Sequence, residues 1–242
     1  FFLLSVSENA LSNFERRGIP LRDSFDSAFD DITYLDYLDF SEARDILKRR
    51  AIGIPVPFVS LCYCFSGGLP RDLIRVCRSI FEEKLNGKDD LESICNEIIR
   101  KDLEVKSRAV VIAAEAIHVE PEKSTFLAEM DSFIEKKLSN LKNIDEVIKI
   151  FDFSKFTSNE DQIKALSELM IEFVSYVYFS QTLVKYFDSQ LGQNKLTAAI
   201  EDKSLNLLAK ARQAFSVNPR LSWSRTTEFR VRNYLGSEEI NF

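Results

Sequence analysis

The stretch Ser66-Gly67-Gly68-Leu69-Pro70-Arg71-Asp72-Leu73-Ile74-Arg75 has the residue types and spacing best suited to chemistry. Two glycines and a proline stop the apolar run before it, and an arginine then falls in the first turn of a new amphipathic helix. A helix N-terminus carries unpaired backbone N–H groups and the positive end of the helix dipole. An arginine placed there adds a permanent, fork-shaped charge matched to phosphate oxygens. The expected chemistry is therefore recognition of a phosphate group. Arg71 is its charged contact, Gly67 and Gly68 allow close backbone approach, and Pro70 opens the helix. A plain alternative stays open: the same residues form a helix–turn–helix connection with a solvent-facing arginine.

Other chemistries find less support. His118 is the only histidine, so no Ser–His–Asp or Cys–His arrangement is available. Cys62, Cys64, Cys77 and Cys95 lie in apolar or helical runs, and a Cys-x-Cys pair with one histidine is not a standard zinc set. Reduced, buried thiols are expected, as in a cytoplasmic protein. Glu82-Glu83, Asp89-Asp90 and Glu238-Glu239 sit in polar stretches and read as solvated charge.

The elements that must position the turn are mostly helical. Twenty phenylalanines against seven glycines and six prolines argue for long helices and few tight turns. The net charge of −6 gives no general pull towards nucleic acid or an acidic membrane. Phe1 to Val6 reads as a short buried strand, Glu8 to Arg17 as a helix, and Ile32 and Tyr34 as part of a second strand. The first strand starts the chain without an initiator Met, and the expectation is that residues are missing upstream. Asp39 and Glu42 form a capping-box pattern for a helix to about Arg50. Phe58 to Phe65 reads as a buried helix, and Arg71 to about Leu85 as an amphipathic one closed by Asn86-Gly87. From Asp90 the period is helical throughout, with one long helix over 161–191 and a last sizeable helix over 196–215. Glu168, Glu172 and Lys185 interrupt the most apolar of these stretches, so it reads as a core helix and no membrane contact is expected. Its aromatic residues Phe173, Tyr176, Tyr178, Phe179 and Tyr186 read as core packing.

The order strand, arginine-bearing loop, capped helix, then Gly-Gly-Leu-Pro-Arg resembles the back half of AAA+ and STAND-type P-loop ATPases over roughly the first third of the chain. There the Gly-x-Pro-Arg turn is the sensor 2 element of a helical lid. The resemblance implies a mainly α chain in three parts: 1–38, the truncated edge of a P-loop α/β domain with one or two strands; 39–86, a helical lid; and 87–242, an α-helical bundle domain. It implies that Arg71, with Gly67, Gly68 and Pro70, faces nucleotide phosphates. Arg22 resembles an arginine finger, with Arg17 as the alternative. Among Ser5, Ser7 and Asn9, Asn9 is taken as the sensor 1 candidate, although these side chains equally suit capping the next helix. No Gly-x-x-x-x-Gly-Lys-Ser/Thr loop and no Walker B acidic pair occurs in the chain. ATP and Mg²⁺ are therefore expected only with the missing N-terminal half, which is the first implied partner, and none for this chain alone. A homo-oligomer and a protein partner on the helical domain are also implied.

From about Lys203 the charge changes sign. Arg212, Arg220, Arg225, Arg230 and Arg232, with Trp223 interleaved, could hold a phosphate backbone and stack on bases, or dock onto acidic parts of this molecule or a partner. Internal or partner docking is the preferred expectation, nucleic acid the alternative. A non-enzymatic helical interaction module remains the rival to the ATPase reading as a whole.

Overall fold

In the computed structural model, residues 36–120, 122–136, 161–188, 190–215 and 217–236 are described. They form helices α1 (Phe40–Arg50), α2 (Val56–Ser66), α3 (Pro70–Leu85), α4 (Leu91–Glu115), α5 (Glu122–Lys136), α6 (Asp161–Tyr186), α7 (Gln193–Glu201), α8 (Leu205–Ala214) and α9 (Pro219–Arg232), with no strand among the described residues. The expected strands at 1–6 and 32–34, and the candidates Asn9, Arg17 and Arg22, lie outside them. Chain contacts divide the molecule at Asp36, and Tyr37–Phe242 is one unit.

Local sequence explains where most helices begin. Asp39 Oδ1 accepts the Glu42 N–H at 2.8 Å, and Glu42 Oε2 accepts the Asp39 N–H at 2.9 Å. That reciprocal box satisfies two otherwise orphaned donors, and such a cap contributes about 1 kcal/mol. Lys48, Arg49 and Arg50 occupy the last turn of α1, where the dipole favours positive charge. Asp90 caps α4 through the Ser93 N–H at 2.8 Å, and Asn218 caps α9 through the Leu221 N–H at 3.0 Å.

Two helices carry the core. In α2 every residue from Val59 to Ser66 is buried, and in α6 every residue from Phe173 to Val184 is buried. A helix apolar all round has protein on every side. α4, α8 and α9 pack against α6, while α1, α3, α4 and α8 pack against α2. The aromatic residues named above are all buried in this core; the Phe133 and Phe173 rings meet edge-on at 5.2 Å, as do Tyr186 and Phe229 at 5.0 Å. The four cysteines are free and buried, and burial pushes the Cys64 and Cys95 thiols up, away from the reactive thiolate.

Three expectations change. Glu83, expected in wet surroundings, is 3% exposed, bonded to Lys88 Nζ at 2.7 Å and also to Lys101. The helix expected to run to Leu191 ends at Tyr186, because Asp188 Oδ1 takes the Gln190 N–H at 2.9 Å in a local turn; Gly192 then starts α7 instead of stopping a helix. The helix expected over 196–215 breaks at Asp202–Ser204. There Asp202 Oδ1 accepts the Ser204 N–H at 2.8 Å and Lys203 takes a φ of +59°. Beyond it the basic tail continues as α9, which Asn218 and Pro219 open.

Candidate functional site at the Gly67–Arg71 turn

α2 ends where Gly67 and Gly68 turn the chain through φ values of +66° and +79°, conformations that a residue with a Cβ resists. Ser66 fastens the turn: its Oγ donates to the Tyr63 carbonyl at 3.2 Å and accepts the Gly68 N–H at 3.2 Å. Pro70 then opens α3 with no N–H left to satisfy.

Both glycines are buried, and a different part of the chain holds each one. The Gly67 carbonyl accepts from Gln213 Nε2 at 2.5 Å. A Cβ on Gly67 would lie 3.1 Å from the Ala209 carbonyl oxygen and 3.2 Å from Arg212 Cγ. The Gly68 carbonyl accepts the Leu38 N–H at 2.9 Å, and a Cβ on Gly68 would lie 2.4 Å from the Leu38 carbonyl oxygen. The close approach that the missing Cβ atoms permit is thus to Leu38 and α8. Of the four residues expected around a nucleotide, Pro70 and Arg71 are at the surface, and Gly67 and Gly68 are inside.

Arg71 is exposed, and among the described residues it has no hydrogen-bond or ion-pair partner. Asp72, the acidic residue of the first turn, is engaged by Arg75 at 3.0 Å. Leu69 gives α3 no side-chain cap, so its first free N–H groups depend on solvent. A cation in the first turn also opposes the helix dipole. The end of α3 therefore presents uncompensated positive potential, which an anion would relieve.

Beneath the turn, α8 supplies a clamp. Arg212 Nε donates to the Phe65 carbonyl at 3.0 Å, and its guanidinium lies 5.7 Å from the Phe65 ring centre and 5.2 Å from that of Tyr176. Lys106 also lies over the Tyr176 ring, at 5.6 Å, and pairs with Glu172. The Tyr176 hydroxyl donates to Asp102. Burial pushes the Tyr176 hydroxyl up, Arg212 offsets part of this, and Asp102 adds to it, so the phenol stays a proton donor.

Some of the other tail residues also turn inward. Trp223 is buried and stacks on Tyr178 with ring centres 3.9 Å apart and planes at 17°. Arg225 Nη1 donates to the Lys210 carbonyl at 2.9 Å, and Arg232 pairs with Glu228 on its own helix. Arg230 is 1% exposed and lies 4.7 Å from the Tyr178 ring centre. Its donors go to neutral acceptors: the Gly236 carbonyl at 2.7 Å, the Leu235 carbonyl at 3.3 Å, Gln181 Oε1 at 3.2 Å and Thr182 Oγ1 at 3.4 Å. Arg220 is exposed. Trp223 and Arg230 are thus engaged in packing α9 against α6, while Arg220 and Arg232 remain at the surface.

Among the described residues, no group of three His, Cys, Asp or Glu side chains could hold a metal ion, and no helix is long and apolar enough to cross a membrane. Comparison of the chain with protein-family models, curated proteins and solved structures finds no match. The sequence reading missed Leu38 and Gln213 as parts of the turn, and it placed Arg212 elsewhere. About 146 residues separate Gln213 from Gly67, and no local pattern announces a contact of that range.

Proposed function

We propose that residues 39–86 form the lid, and 87–242 the C-terminal helical region, of an AAA+/STAND-like P-loop ATPase that couples ATP binding or hydrolysis to assembly or partner signalling. The observation that carries this reading is Arg71. It is an exposed guanidinium, unpartnered among the described residues, in the first turn of a helix whose dipole already favours an anion. In this reading Arg71 meets the terminal phosphate oxygens of a nucleotide held by the P-loop half of such an ATPase. The ATP and Mg²⁺ bound there supply the transferable phosphoryl group and its charge neutralisation. Arg71 orients those oxygens and closes the lid onto them, and when they depart it loses its counter-charge and the lid relaxes. Arg22 completing a neighbouring subunit's site and Asn9 orienting water belong to the same proposal, as does a homo-oligomer.

One observation favours a second reading, a non-enzymatic helical interaction module. Contacts to Leu38 and α8 already account for both glycines of the turn without a ligand. ATP turnover by the whole protein that its gene encodes separates the two. The ATPase reading expects the Arg71→Ala protein to fold normally and lose most of its turnover. Absence of turnover in the unaltered protein, or turnover indifferent to Arg71, leaves the interaction module.

A further inference from the structure

One short turn joins three parts of the molecule. Gly68 receives the chain as it enters the unit, through the Leu38 N–H bond and a backbone approach that excludes even a methyl group. Gly67, the residue before, receives α8 through Gln213 and a close, though looser, approach of Ala209 and Arg212. Two residues after Gly68, Pro70 starts the helix that presents Arg71.

α8 is held to α2 at both of its ends. The Tyr63 hydroxyl donates to Asn206 Oδ1 at 2.9 Å near its start, and Arg212 and Gln213 bond the Phe65 and Gly67 carbonyls near its close. Seven residues separate Asn206 from Gln213, so the attachments lie about 10 Å apart along the helix, which fixes direction as well as distance. α9 is bound in turn to α8: the Asn218 N–H donates to the Ala214 carbonyl at 2.7 Å and Arg225 to the Lys210 carbonyl. Two side-chain bonds to backbone carbonyls, and two approaches that leave no free room for a Cβ, couple the turn closely to its neighbours, so a shift of the entering chain at Leu38 is not absorbed at the turn alone.

We propose that the Gly67–Gly68 turn is a mechanical junction: displacement of the chain entering at Leu38 is passed through the turn to α8 and α9, with Gln213 and Arg212 as its positioning residues. α8–α9 is thus the output arm: Arg212 ties it to the turn, Arg225 ties its two helices together, and Arg230 ties it to α6. The coupling does not depend on the ATPase reading. If Arg71 does meet a nucleotide, the junction is the route by which that event reaches the C-terminal helices.

Hydrogen exchange on the full chain tests it in both directions, because coupling between two sites is reciprocal. Gly68→Ala pushes Leu38 away, whose backbone supplies the three atoms nearest the new methyl; the junction predicts about tenfold faster exchange of the 205–214 amides, with α5 unchanged. Gln213→Ala leaves the entering chain untouched; the junction predicts about tenfold faster exchange of the Leu38 amide, again with α5 unchanged. Gln213→Ala alone decides if the glycine variant does not fold. Faster exchange confined to residues 36–40 and 66–72 in the first variant, an unaltered Leu38 amide in the second, or a uniform rise that includes α5 overturns the junction.

Discussion

Gly53 and Gly68 share a φ of +79°, yet a Cβ on Gly53 would meet nothing within 4 Å and one on Gly68 would meet the Leu38 carbonyl at 2.4 Å. The pair separates backbone conformation from contact. Placing Ala at either position costs about 1 kcal/mol for the left-handed conformation. At Gly68 the methyl group must also displace Leu38, with loss of the Leu38–Gly68 hydrogen bond worth about 1 kcal/mol. Partial withdrawal of the Leu38 side chain from the core then brings the excess of Gly68→Ala over Gly53→Ala to about 1–3 kcal/mol. Trp223 is the only tryptophan and is stacked on Tyr178, so its fluorescence reports urea unfolding of the unit. With a slope of about 2–3 kcal/mol per molar urea, the Gly68→Ala midpoint falls a further 0.3–1.5 M or so below that of Gly53→Ala. Midpoints that agree within about 0.2 M refute the argument that contact with Leu38, and not conformation alone, demands glycine at 68.

The Glu83 clamp predicts acid sensitivity with a definite sign. Bonds from Lys101 and then Lys88 hold the Glu83 carboxyl below its ordinary value of 4.5, Arg100 does the same for Glu97, and Ser93 holds Asp90 below 3.8. A carboxyl lowered in the folded state contributes its stability above the unfolded value and loses it as pH falls through the folded one. Glu83→Gln therefore costs about 1–3 kcal/mol at neutral pH, and the gap between the two proteins closes below about pH 4.5; a constant gap from pH 7 to 3 speaks against the clamp. Arg230 gives a different test, since its buried guanidinium is spread over four neutral acceptors. Arg230→Lys keeps the charge and loses the fork, and is expected to destabilise by about 2–4 kcal/mol in the same urea assay; a loss under about 0.5 kcal/mol denies Arg230 its role in fixing α9.

What the sequence made legible was local. The Asp39–Glu42 box, the buried run of α2, the amphipathic α3 and the glycine-to-proline turn all follow from residues within four positions of one another, and each is found where it was expected. α9 was legible in part: Asn218-Pro219 is a strong helix opening, and docking onto protein was the preferred expectation for its basic residues, but no local pattern showed which of them would be buried. The break at Asp202–Ser204 was hidden because Lys203 is not a residue that favours positive φ. Arg230 shows the limit of charge as a guide: seen in a list of arginines it reads as surface, whereas three-dimensional proximity to Gln181, Thr182 and two backbone carbonyls lets it be buried. The phosphate-facing role of Gly67 and Gly68 was inferred from freedom of the backbone. That freedom is used, but by Leu38 and α8, which no pattern within the turn could reveal.

Discrimination between ATP and ADP bears most directly on Arg71 as a reader of the terminal phosphate. Equilibrium affinities of the whole protein for both nucleotides, before and after Arg71→Ala, isolate that one contact. A charged hydrogen bond of this kind is worth about 1.5–3 kcal/mol, so the substitution should weaken ATP binding about 10–100-fold and leave ADP binding nearly unchanged. Equal losses for both nucleotides, no loss for either, or an unaltered protein that binds neither would contradict the assignment of residues 39–86 as a nucleotide-sensing lid.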